Sequence, residues 1–113
     1  MMATRILIVS RSIVFWDFLH FSADSFEQCT GNVGDDDLNF IVQKAEKLQL
    51  PLISTIDPHD HIVFNQKQIR RLSQELQVLK NKTSGLEGAI KVIVMAIKIA
   101  AARDNLYIKF KSD

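Results

Sequence analysis

Residues 86–102, LEGAIKVIVMAIKIAAA, decide the fold class. Set on a helix at about 100° per residue, only Glu87, Lys91 and Lys98 fall together, as a narrow polar stripe on an otherwise apolar cylinder. Such a helix is expected to be covered on most sides. Its apolar run at residues 92–97 is far short of the ~20 residues a membrane span needs, and Lys91 and Lys98 bracket it. The stretch is therefore expected to be the core helix of a soluble domain, lying under a sheet.

The flanking segments supply that sheet and a second helix. Residues 66–80 turn Ile69, Leu72, Leu76 and Leu79 inward and Lys67, Arg70, Arg71, Gln74 and Gln77 mostly outward. Asn65 is placed to cap this helix, Gln68 to reach back to the cap's amide, and Phe64 with Ile69 to form a hydrophobic staple. Ser84 and Glu87 predict a second capping box at the start of the core helix. After the breakers Asp104 and Asn105, residues 106–110 (LYIKF) alternate as a half-exposed strand.

Further upstream, residues 52–56 and 61–64 are expected to be two strands joined by a turn over Asp57, Pro58, His59 and Asp60, with proline and aspartate at positions a type I turn favours. Asp35, Asp36 and Asp37 open a helix with Leu38, Ile41, Val42, Ala45 and Leu48 on one face; Pro51 ends that segment. In residues 22–34, Ser22 or Asp24 is expected to cap a short helical turn holding Cys29, and Gly31 to end it in a left-handed conformation. Residues 5–9 are β-branched and read as a strand. Residues 13–20 (IVFWDFLH) fit either a central strand or a buried helix.

The 113 residues make one domain, able to bury roughly two-thirds of its unfolded surface. Apolar residues at 47% and charged residues at 24% are ordinary for a globular chain. A single cysteine, Cys29, excludes an internal disulfide and makes a reducing cytoplasm the expected compartment. Asp17 and His20 interrupt the N-terminal apolar run, which is expected to be folded rather than a signal peptide. The net charge of +1 hides an asymmetry: residues 1–64 hold 4 Lys/Arg against 9 Asp/Glu (net −5), and residues 65–113 hold 10 against 4 (net +6). Together these features predict a single small α+β domain, with an antiparallel or mixed sheet of roughly four or five strands covered by about three helices.

No phosphate-binding loop, dinucleotide fingerprint, C-x-x-C or nucleophile elbow occurs, and no cofactor is expected. The richest polar cluster is Asp57, His59, Asp60 and His61. With His20 it has the residue types of a metal site, and His20, His59 or His61 with Arg11 or Arg70 has those of an acid–base nuclease. A solvated turn explains the same residues, so neither a metal nor a catalytic set is assigned. Lys67, Arg70, Arg71 and Lys80 read as a solvated helix face rather than a nucleic-acid surface, since no aromatics interleave them.

Three pieces carry a family resemblance. Residues 53–79 (ISTIDPHDHIVFNQKQIRRLSQELQVL) match a D-P-x5-F-N-x-x-Q-x3-L-x-x-E-L pattern at Asp57, Pro58, Phe64, Asn65, Gln68, Leu72, Glu75 and Leu76. Residues 106–113 (LYIKFKSD) follow a hydrophobic-Tyr-x-x-Phe-x-x-Asp ending, with Ser112 where the pattern has glycine, and FWDF with GNVGDDDL completes the likeness. The chain resembles immunity proteins of bacterial toxin systems, including contact-dependent growth inhibition. That resemblance implies a non-enzymatic protein that binds a cognate toxin, a nuclease, and occludes its active or substrate-binding face, with no direct contact to nucleic acid or membrane. On this reading Asp24, Asp35, Asp36, Asp37, Asp57 and Asp60 face the basic partner, and Trp16, Phe18 and His20 are aromatic anchors. A buried strand accounts for those three aromatics equally well. The alternative readings are a small histidine-dependent nuclease or metal-binding enzyme and a homo-oligomeric regulatory subunit; the oligomeric state stays open, with a monomer the leading reading.

Overall fold

The computed structural model describes residues 3–10 and 26–112. Its frame is a four-stranded antiparallel sheet made by β1 (Ala3–Ser10), β2 (Phe26–Gly34), β3 (Ile62–Phe64) and β4 (Leu106–Ser112), in the order β2-β1-β4-β3. Three helices, α1 (Asp35–Lys47), α2 (Gln66–Lys82) and α3 (Glu87–Ala101), complete the α+β domain. The alternation of LYIKF is realised: Leu106, Ile108 and Phe110 are buried, and Tyr107 and Lys109 half-buried. With Ile6, Ile8, Val33 and Phe64 they form the sheet's side of one core. Phe64 and Phe110, diagonal neighbours across β3 and β4, meet edge to face with ring centroids 5.8 Å apart.

Helix α3 buries Ile90, Ile93, Ala96, Ile97 and Ala100. Its cover is narrower than its composition predicts. The sheet packs on one side and α2 on another, while Met95 (53% exposed) and Ile99 (45%) stand in solvent beside Lys91 and Lys98. No helix among the described residues is long and apolar enough to cross a membrane.

The capping box at the start of α2 forms. Asn65 accepts from the Gln68 amide at 3.0 Å and the Gln68 side chain accepts from the Asn65 amide at 3.0 Å. The second capping box does not form. Leu86 is the N-cap of α3, and Glu87 instead reaches back to accept from the Gly85 amide at 3.1 Å. Hydrogen bonds from its own amide and that of Gly85 hold the Glu87 carboxyl below its ordinary value of 4.5. The stabilisation it brings is therefore present above that value and fades as pH falls through the folded-state pKa.

Three other expectations are corrected. The segment before Asp57 is a 3-10 turn, Ile53–Thr55, and not a strand. The carboxylate of Glu75 on α2 takes the amides of Leu52 and Ile53 that a strand ladder would have used. Helix α1 stops at Lys47, ahead of Pro51. Gln49 adopts a left-handed conformation (φ 60°), while its amide donates to Glu46 and that of Leu50 to Ala45, a Schellman ending. Residues 26–34, expected as a helical turn, are edge strand β2. Its register with β1 shifts between Ile6 and Leu7, and the Thr30 hydroxyl donates to the Ile6 carbonyl at 3.3 Å.

Gly31 thus serves as a point of close approach, not as a helix end. A Cβ built there would lie 2.7 Å from Cγ1 of Val92 on α3, and valine has little rotamer freedom in a helix with which to yield. Gly31→Ala is expected to lose about 1–3 kcal/mol in a urea titration, most of it recovered when the change is made in a Val92→Ala background. Additive losses would refute the contact as the reason for glycine.

Candidate functional site

Sequence β2 runs directly into α1, so the three aspartates open a helix at one end of the sheet. No side chain caps that helix: Gly34 is the N-cap, and the aspartates act through the positive end of the helix dipole. Asp35 is half-buried, with Oδ1 inaccessible and without a hydrogen-bond partner, while Asp36 and Asp37 are exposed.

The residue that changes the character of this surface is Phe40. It lies about 200° around α1 from Leu38, away from the stripe of Leu38, Ile41 and Ala45 that enters the core. It is 62% exposed, the most exposed of the large apolar side chains among the described residues. Asp36 and Asp37 precede it by four and three residues, the spacings that bring helical side chains onto one face. The outer face of α1 therefore begins with two carboxylates set around an uncovered phenyl ring, with Lys44 one turn farther on.

Asp57 and Asp60 occupy the loop before β3. Asp57 Oδ1 accepts from the His59 amide at 2.8 Å, its carbonyl accepts from the Asp60 amide at 3.1 Å, and Asp60 Oδ1 accepts from the His61 amide at 2.7 Å. These oxygens shape the turn, an Asx arrangement, and both side chains remain exposed. The register places this loop at the same end of the sheet as the start of α1: Ala3 pairs with Gly34, Thr4 with Ser112, and Ile62 with Phe110. The two acidic groups are thus at one end but on opposite edges, about 14 Å apart at three strand spacings. Arg5 and Lys111, paired across β1 and β4, stand between them.

Compared with known protein families, curated proteins and solved structures, the chain matches none. Trp16, Phe18, His20 and Asp24 lie outside the described residues. His59 and His61 are both exposed on the loop, and no group of three or more His, Cys, Asp or Glu among the described residues is placed to hold a metal ion. Cys29 is exposed on β2.

Phe40 is absent from the sequence-based expectations, although a local signal marks it. Once α1 is phased on Leu38, Ile41 and Ala45, a phenylalanine falls on the polar side, which is the informative exception to apolar residues packing inside.

Proposed function

We propose that this protein is an immunity protein, which binds a bacterial toxin of the nuclease type and neutralises it by covering its active or substrate-binding face. The observation that carries the reading is the uncovered Phe40 beside Asp36 and Asp37. A rigid aromatic side chain is a common energetic anchor of protein interfaces, and flanking carboxylates complement the basic surface by which a nuclease holds its substrate. Helix α1 is fixed by three buried side chains and its Schellman ending, so little ordering cost accompanies binding. Asp57 and Asp60, held in their turn at the same end of the sheet, add a second acidic group on the far side of Arg5 and Lys111. The mechanism is occlusion, and it asks no chemistry of this chain.

The test is co-expression with the toxin domain encoded beside its gene. A stoichiometric complex and restored growth are expected, and Phe40→Ala is expected to weaken the complex by about thirtyfold or more, about 2 kcal/mol. Absence of both complex and rescue would refute the proposal. A complex indifferent to Phe40→Ala and Asp36→Lys would move the interface elsewhere on the protein.

A further inference from the structure

A second surface, remote in sequence from α1, lies where the end of α2 meets α3. It is an open groove of about 380 Å³ with Ile90, Val94 and Met95 along α3 as its apolar lining and Lys80, Lys91 and Lys98 at its edges. Met95 is more than half exposed, and Ile99, one turn beyond it, continues the apolar strip into solvent. Glu87 also borders the groove and keeps its negative charge while it accepts from the Gly85 amide, so the three lysines outnumber one carboxylate and the field of the groove is positive.

We propose that this groove docks an acidic amphipathic helix of a partner protein. Lys91 and Lys98 are seven residues apart, two turns and about 10 Å along one face of α3, and Lys80 faces them from α2. One carboxylate or phosphate headgroup meets only one of these sites. A helix lying along α3 with acidic residues two turns apart meets both, and its apolar stripe covers the lining between them. The lining has no aromatic rings on which bases stack, so an oligonucleotide gains only the charge. The flexible, polarisable side chain of Met95 adapts to differing anchor residues. This surface is independent of the toxin-binding reading.

The probe is a synthetic helical peptide about four turns long with leucines at i, i+4 and i+7 and glutamates flanking them, titrated into the full-length protein while the Met95 methyl signal is followed by NMR. Saturable binding in the micromolar range, a shift of that methyl, and a loss of at least about tenfold in Lys91→Glu/Lys98→Glu or Met95→Glu are expected. All are surface changes whose folding is checked by circular dichroism. No binding at millimolar peptide, or equal binding of a peptide with lysine in place of glutamate, overturns the proposal. So does tighter binding of decanoate, of phosphatidylglycerol vesicles or of a short oligonucleotide at the same methyl, or concentration-dependent self-association that Met95→Glu abolishes.

Discussion

Glu75→Ala is expected to lower the folding free energy by about 3–5 kcal/mol, a large fraction of the whole for a domain of this size. Glu75 on α2 is 5% exposed. Its Oε1 accepts from the amides of Leu52 and Ile53, each at 3.0 Å, and Oε2 accepts from Leu52 at 3.2 Å. These two amides open the 3-10 turn that joins α1 to β3, and among the described residues no backbone carbonyl accepts from them. Truncation leaves both unsatisfied, at about 1–3 kcal/mol each, and empties the space of a buried side chain.

Glu75→Gln separates donor satisfaction from charge. Glutamine keeps one oxygen between the two amides, so a loss of only about 1 kcal/mol is expected, the difference between a charge-assisted and a neutral hydrogen bond. Arg71 contributes little: its Nε is 3.8 Å from Oε2 and its side chain is 66% exposed. Urea titration of both variants checks the ranking. Equal losses would mean that the negative charge, not the pairing of two amides, holds the turn.

Glu75 also explains where sequence reading ends. The capping box at Asn65 is legible because both partners lie three residues apart and the pattern needs nothing else. Residues 52–56 have the composition of a strand, and only a carboxylate more than twenty residues away converts their amides to a tight turn. Residues 26–34 mislead for a related reason. Gly31 suits a helix end in isolation, and its true role depends on Val92, about sixty residues on. The acidic start of α1 and the phase of Phe40 are local properties and can be taken from the sequence alone. That Asp57 and Asp60 share an end of the sheet with them follows from strand register, which no local pattern encodes.

The same contrast between local and distant effects makes Gln66 the second revealing position. Gln66 is the first residue of α2, where a simple helix rule favours glutamate: a carboxylate in the first turn gains about 0.3–1 kcal/mol from the dipole. The structure reverses the sign. Gln66 Nε2 lies 2.8 Å from the carbonyl oxygen of Ala100, 2.7 Å from that of Arg103 and 2.8 Å from that of Leu106. Three acceptors on one side fix which end of the amide faces inward, and its two N–H groups serve them as shared donors. The side chain ties the start of α2 to the end of α3 and the start of β4, and so closes the junction between the helix pair and the sheet. Gln66→Glu withdraws both donors and brings a negative charge toward three carbonyl oxygens. The expected loss is about 2–4 kcal/mol, larger than the dipole gain by a wide margin. Gln66→Ala, which withdraws the donors without adding charge, is expected to lose about 1–3 kcal/mol. Hydrogen exchange is expected to quicken at the amide of Leu106, which donates to Arg103 at 3.4 Å inside the same junction, before it quickens in the centre of α2. A neutral or stabilising Gln66→Glu would mean that the dipole rule governs this position and that the junction holds without its clip.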